Sequence, residues 1–497
     1  MVFITFRRKD DTMPVRVPGF LPLSLVYVAV AGACGGGDIV DPDDPTGPPV
    51  VTSINGATQP TGPTGSTVII EGSNFGGTQG SSQVLFSSGT GGTIPAAIAS
   101  ANDWTSTFII TTVPAGASSG SVVVQTPLGI SVPLPFTVTQ NAAFSPSTIS
   151  WSVATDLPVA VSGHALAFAL LGDTTVTRVV YSIGGADNGG APVSTVHLAT
   201  VGAGGALGPW TATAPLPAPV AFQAASVATP ANARITATGF VYVVGGATDA
   251  AGTPGTIVYR GAVAADGSVS AWVSMTPLPV ALHSAGAVIF HGDLYVAGGA
   301  TTANAPSAAV YRSRIDAAGG LGPWQAQPSL PFARAHFGFG TFGGYLYTFG
   351  GDSAVVAPHS GTAGKSIADV AFARINLRTG DLEPAGWTTG STKLTKSVSK
   401  HTAVVAGGYV LTTAGLYNGA ANGSTEQSYS QFNADGTVGS FNGATGSNTI
   451  ASLVAGGNLF NHAAIGYTDA AGAFHVLVAG GDDVNTPGSR HKGVFFY

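Results

Sequence analysis

Charge is what this sequence has least of. Asp, Glu, Lys and Arg make up 8% of 497 residues, against roughly 25% in an ordinary soluble domain. The net charge of −6 is spread over 18 basic and 24 acidic groups. That leaves no basic face for nucleic acid and no acidic tail, so no nucleic-acid partner is expected. Cysteine occurs once, at Cys34. A single thiol excludes a disulfide scaffold, and the fold must be held by packing alone. So few charged residues also exclude a coiled coil. Glycine is what the chain has in excess: 71 of 497, or 14%, about twice the usual ~7%. Gly plus Pro is 103 of 497, or 21%, below the ~25–30% that signals disorder. With 44% hydrophobic residues the chain can bury a core. The length allows about three domains at ~150 residues each, and the composition suits an all-β protein with many glycine-bearing turns.

The first 34 residues read as an address. Arg7, Arg8, Lys9 and Arg16 precede an apolar run from Val17 to Ala33, and the run ends Ala31-Gly32-Ala33-Cys34. A positive region, a short apolar region and small residues before a cut make an export signal. Met13 is an alternative start, since Met13 to Arg16 already supplies a short basic region. The small residues before the lone Cys34 resemble the lipobox of bacterial lipoproteins, with Ala31 where a leucine is usual. The resemblance implies that Cys34 is lipidated and becomes the mature N-terminus. The membrane would then be a partner through this lipid anchor only, in the bacterial cell envelope, at the outer membrane or cell surface. Residues 35–49, rich in Pro, Asp and Gly, read as an extended tether.

Residues 50–139 hold five short β-branched runs, at Thr67–Ile70, Val84–Phe86, Phe108–Thr112, Ser121–Gln125 and Pro135–Val138. Gly, Ser and Pro clusters separate them, which suggests a small β-sandwich. The stretch from Gly65 to Gly76, GSTVIIEGSNFG, resembles the signature of IPT/TIG domains, and Trp104–Thr107, Val113–Ala117 and Val122–Val124 continue that pattern in order. The resemblance implies an immunoglobulin-like spacer or interaction module without catalysis. Gly116-x-Ser118-x-Gly120 matches the nucleophile-elbow pattern, but no helical period follows it, and it reads as a turn.

Residues 140–497 repeat. Glycine pairs recur at 184–185, 245–246, 298–299, 350–351 and 480–481, with a degenerate copy at Ala414-Gly415. Tryptophans at 151, 210, 272, 324 and 387, then Phe441, are spaced by 59, 62, 52, 63 and 54 residues. Tight-turn pairs such as Asp266-Gly267 and Asp435-Gly436 precede several of them, and Leu-Pro follows at 157, 216, 278 and 330. Each unit reads as four strands: an inner one, one ending in Gly-Gly, a third, and a Trp-bearing outer one. This order resembles kelch repeats, also found in the central domain of galactose-oxidase-like proteins. The resemblance implies a six-bladed β-propeller. The chain begins this region with a Trp strand and ends one strand short, so the first strand is expected to complete the last blade.

Function is expected on the face that carries the irregular loops after the glycine pairs. His164, His283, His336, His401 and His462 each begin an innermost strand, with Gln223 near the equivalent place in the remaining unit. They are able to bind an anion or metal or move protons, or to hydrogen-bond between blades, as similar histidines do in kelch-like repeats. No local spacing marks a metal site, and Asp482-Asp483 with Asn485 does not match a calcium loop. Arg334 and the Lys393, Lys396 and Lys400 group lie on the same face, either as anion-attracting groups or as solvated loop charges. The longest loop, 352–369, carries Asp352, His359, Lys365 and Asp369, and a ligand is expected to contact it together with Arg334 and His336. The candidate ligand face is therefore His164, His283, Arg334, His336, Asp352, His359, Lys365, His401 and His462, with no catalytic residue assigned. Copper-radical chemistry of the galactose-oxidase kind needs a Tyr–Cys cross-link. The only cysteine is outside the repeats, so no cofactor or metal is expected. Two function classes remain: a surface-anchored protein binding a glycan or protein ligand, and a propeller enzyme acting on a sugar, as sialic-acid mutarotases are kelch propellers.

Overall fold

The computed structural model describes residues 44–497 except 55–59, 63, 66, 139–146, 148, 173–175, 234, 302–304, 356–363, 377–378, 407, 418–426, 434, 444–458, 472 and 484–488. The export signal, Cys34, most of the tether, His359 and Asn485 fall outside these residues. The chain is nearly all β, with 52% strand and 3% helix, in many small antiparallel sheets. No helix among the described residues is long and apolar enough to cross a membrane. Pro42–Tyr497 forms one compact unit.

The N-terminal part of that unit is two sheets over one core. Val50–Ile54, Thr67–Ser73 and Phe108–Thr112 make the first sheet. Thr61–Gly62, Leu134–Val138, Ala117–Thr126, Gln83–Ser88 and Thr93–Pro95 make the second, with Gly129–Ile130 pairing on Ala117–Thr126. Strand alternation sends Val68, Ile70, Val84, Phe86, Val122 and Val124 inward, where they surround Trp104. The Trp104 indole donates to the Phe75 carbonyl at 3.0 Å.

The remainder is six four-stranded antiparallel sheets and two two-stranded ones, Val398–Ser399 with Leu416–Tyr417 and Leu459–Phe460 with Asp482–Asp483. Sheet one is Ala165–Leu171, Thr177–Ile183, Val196–Thr200 and Thr211–Ala212. Sheets two to four repeat this order from Ala224–Ala228, Gly286–Phe290 and Gly338–Phe342. Sheet five starts at Thr402–Ala406. Sheet six is Ala463–Thr468, Phe474–Ala479 and Val494–Phe496, and its fourth strand is Ser152–Val153 from the start of the region. The expected closure is present: Ser152 pairs with Phe496 and Val153 with Phe495. First strands of successive sheets lie side by side, and that of sheet six returns to that of sheet one.

Two kinds of side-chain bond recur between neighbouring sheets. Indole N–H groups reach back: Trp210 donates to Thr155 O at 3.0 Å, Trp272 to Ala214 O at 2.9 Å, Trp324 to Thr276 O at 3.0 Å and Trp387 to Pro328 O at 2.9 Å. Tyrosine hydroxyls reach forward to the glycine carbonyl of the next sheet's outer hairpin. Tyr181 bonds Gly267, Tyr242 bonds Gly319, Tyr295 bonds Gly380, Tyr347 bonds Gly436, and Tyr467 of sheet six bonds Gly205 of sheet one, at 2.5–2.9 Å.

The two-sheet part docks on the hairpin side of the cycle. Phe108, Ile110 and Ile69 share an apolar cluster with Phe290 and Leu346, and the Phe108 ring centroid is 4.8 Å from that of His291. Arg374 bridges Asp103 at 2.7 Å, and Asn102 donates to Glu383.

Candidate functional site

On the opposite side, one residue from each sheet meets its neighbours around the axis. Gly163, Phe222, Ser284, His336, Lys400 and Asn461 all have positive φ, between 51° and 56°. This turn swings each N–H toward the preceding sheet and each carbonyl toward the following one. The result is a closed ring of six backbone hydrogen bonds. Phe222 donates to Gly163, Ser284 to Phe222, His336 to Ser284, Lys400 to His336, Asn461 to Lys400 and Gly163 to Asn461, at 2.6–3.2 Å. Left-handed angles cost a non-glycine residue about 1–2 kcal/mol each, and the ring bonds offset that cost. Gly163 is required for space as well: a Cβ there would stand 2.6 Å from the Phe222 ring.

The residue after each ring position is a wedge over the glycine pairs. A Cβ on Gly185 would meet His164 at 2.8 Å, and one on Gly480 would meet the same ring at 2.6 Å. His401 lies likewise over Gly350 and Gly415, Phe337 over Gly298 and Gly351, and Gln223 over Gly184 and Gly246. Most pair positions face a wedge of their own or the next sheet, whereas Gly245 faces the Leu282 carbonyl at 2.6 Å. His462 Nε2 sits 2.9 Å and 3.0 Å from the hydroxyls of Thr413 and Thr402 in sheet five. Gln223 donates to Ile183 O of sheet one at 2.6 Å. Among the described residues, neither ring nitrogen of His164 has a hydrogen-bond partner. Burial holds these imidazoles neutral: it lowers His164 and His401 to about 4 and His462 to about 3.

The five histidines are therefore not equivalent, and that expectation is corrected. His164, His401 and His462 are wedges, His336 is a ring member, and His283 lies one residue before the ring, bridged to Ala300. His283 Nδ1 is 3.0 Å from Ser284 Oγ. Arg334, expected as a ligand contact, lies buried within the sheets. It is 0% exposed, and its Nη1 donates inward to Gly350 O at 3.1 Å and Asp369 O at 3.3 Å. Burial lowers it to about 10, so it stays charged at neutral pH. Asp352 is equally buried. Its Oδ2 is 3.4 Å from His336 Nδ1, and its Oδ1 accepts from Ser366 at 3.2 Å. Lys365 is exposed at the base of its loop.

Lys400 carries the charge of the site. It is 3% exposed, with Nζ 5.7 Å from the Phe460 ring centroid. Burial lowers it to about 8, opposed by the charges of Asp352 and Asp482. These two carboxylates occupy the position after the glycine pair that is alanine in sheets one to three. Asp482 accepts from Asn461 at 2.8 Å and pairs with Arg490 at 3.1 Å. Its bonds are to protein groups, and among the described residues no three His, Cys, Asp or Glu side chains gather as a metal site. Lys393 instead pairs at the surface with Asp369 at 3.4 Å, and Lys396 lies over the Tyr417 ring.

Ring and wedge residues line a depression of about 150 Å³. It offers donors and acceptors from Ser284, His336, Lys400 and Asn461 beside the Phe222 ring. Phe222, Ser284 and Asn461 were not singled out from sequence, although a countable signal for the ring exists: Gly163, Phe222, Ser284, His336 and Lys400 each lie six residues after a leucine, at 157, 216, 278, 330 and 394.

No protein-family model matches this chain, and no curated protein matches it. Solved structures do match. One described as "Structure of YjhT" is 13% identical, with a TM-score of 0.48, and the match covers 69% of this chain and 96% of that one.

Proposed function

We propose that the chain is a lipid-anchored binding protein of the bacterial cell envelope. An IPT/TIG-like, immunoglobulin-type stalk carries a six-bladed kelch-type propeller, and the axial ring of that propeller receives one sugar unit of a glycan. Four features support the architecture: the six sheets in cyclic order, the ring of backbone bonds, the strand exchanged between the ends of the region, and the two-sheet core at 50–139. One observation carries the function. The axial depression combines an aromatic ring, Phe222, with mixed donors and acceptors, yet holds only about 150 Å³. Small-molecule sites that enclose a substrate run to roughly 300–1,000 Å³. A seat this small admits one group of a larger ligand and leaves the rest to the rim loops, which is the geometry of recognition. The charges of Asp352 and Asp482 act on Lys400 and Arg490 pairs with Asp482 at 3.1 Å, so charge is balanced locally, which suits neutral hydroxyls.

A glycan array probed with the fragment Asp38–Tyr497 tests this. Specific binding that falls at least tenfold in Phe222→Ala supports the reading. Absence of any glycan binding, or binding indifferent to Phe222→Ala and to Asn461→Ala, overturns it. The contact of His336 with Asp352 at 3.4 Å supports a second reading, acid–base chemistry on a sugar. Anomer interconversion followed by NMR on the same fragment distinguishes the two.

A further inference from the structure

The strand Gly129–Ile130 and its flanks form an apolar edge that stands exposed among the described residues. Leu128 is 49% exposed, Ile130 56% and Val132 81%. Leu128 stands in the hairpin turn, Ile130 in the strand and Val132 just beyond it, while Ser131 is buried and exchanges bonds with Val124: Oγ accepts from its N–H at 3.0 Å, and Ser131 N donates to its carbonyl at 2.9 Å. Exposed apolar residues scattered singly need no explanation, but three within five residues of one hairpin do. This edge is also where the chain comes in. Pro48 lies against Gly129, where a Cβ would stand 3.3 Å away, and its carbonyl accepts from Asn74 at 3.2 Å. Pro48 lies fourteen positions after Cys34, a span of at most about 50 Å when fully extended.

We infer that this edge, Leu128, Ile130 and Val132, seats in the bilayer surface to which the chain is tethered. The inference rests on the lipid-anchor reading of Cys34 for its geometry, since a tether entering at the edge holds that edge close to the membrane. Electrostatics take little part in it. Glu71 and Asp103 are the only charged residues between 50 and 139, and Asp103 is bound to Arg374. Anionic lipid has no cation to attract there, unlike a polybasic surface. Insertion is through apolar side chains, as in interfacial anchors. The edge belongs to the second sheet of the stalk, whereas the first sheet supplies Ile69, Phe108 and Ile110 to the contact with the six-sheet region. The ring lies on the opposite side of that region, so seating the edge turns the ring away from the membrane.

The test uses Asp38–Tyr497, which contains the compact unit and lacks Cys34, so it does not depend on lipidation. Sucrose-loaded vesicles of phosphatidylcholine alone, and with phosphatidylglycerol added, are sedimented with the fragment. We expect similar bound fractions on both, and a loss of at least fivefold in Leu128→Ser/Ile130→Ser/Val132→Ser with unchanged thermal melting. Val132→Trp should gain emission that brominated lipid quenches. Binding that the triple variant retains, or no sedimentation and no quenching, overturns the inference. So does a lipid-free dimer that the triple variant disperses, which would assign the edge to a second copy. Release of the full chain from membranes by Cys34→Ala is read separately, so the anchor and the edge fail independently.

Discussion

Histidine at a wedge position is a volume choice that acquires a pH consequence. His164 is fully buried and neutral, and burial lowers it to about 4, against about 6.5 in the unfolded chain. Between those values the unfolded state binds a proton that the folded state refuses. Stability therefore rises with pH across this window, and is lost as pH falls from about 6.5 toward about 4. One such group contributes a slope near 1.4 kcal/mol per pH unit inside the window. Glutamine is tolerated at this position, since Gln223 fills it in sheet two. His164→Gln should thus fold at pH 7 and lower the slope of unfolding free energy against pH by about one proton near pH 5. Urea titrations at several pH values read this directly, and an unchanged slope would mean His164 titrates freely when folded. The wedge and ring positions also show what sequence reading reaches. The histidines stand out as a residue type and cluster near the right place, but residue type mixed three structural positions into one. The ring itself is defined by backbone angle, and it accepts Gly, Phe, Ser, His, Lys and Asn alike. Only its distance from the preceding leucine is written in the sequence.

At the scale of elements, the strands were legible because glycine pairs, turn glycines and tryptophans each have a local cause. The turn glycines at 267, 319, 380 and 436 have φ between 78° and 87°, which favours glycine, and their carbonyls then serve the tyrosines. The tyrosine clamps run from sheets one to two, two to three, three to four, four to five and six to one. From sheet five to sheet six there is none, because sheet six has no hairpin between its third and fourth strands: the chain ends supply them. Docking of the two-sheet part was not legible, since Asp103 and Arg374 are 271 residues apart and neither carries a local signal. Tyr295 is 0% exposed and its hydroxyl bonds Gly380 O at 2.5 Å. Tyr295→Phe removes the donor while keeping the ring, and leaves a buried carbonyl with one bond fewer. A loss of about 1–1.5 kcal/mol is expected, measured by equilibrium unfolding. Tyr259→Phe, in the third strand of sheet two and outside the set of clamps, serves as the comparison. Equal losses from the two variants would show that the clamps add nothing beyond packing.

Closure is the property of the whole molecule on which the ring and clamps depend. Each sheet of four strands is narrow, and each buries its faces only against two neighbours. A cycle removes the exposed outer faces that an open array would keep at its ends. Here the join is small: Ser152 and Val153 pair with Phe496 and Phe495, and Trp151, 1% exposed, packs beside Phe495 in the same cluster. The join also has no tyrosine clamp on the sheet-five side, so sheet six is the place where the cycle is expected to open. Deleting Gly493–Tyr497 removes the third strand of sheet six and leaves Trp151 and the second strand without their partner. We expect a lower melting midpoint, aggregation on heating, and early hydrogen exchange in 463–479 before the rest of the cycle. A complementary variant acts in the opposite direction: Ser152→Cys with Phe496→Cys, at directly paired positions, in the fragment that lacks Cys34. Oxidation should raise the midpoint and reduction should return it, because the cross-link closes a loop of more than three hundred residues. If the deletion melts like the parent, and oxidation of the cysteine pair leaves the midpoint where it was, the six sheets hold their order without the join.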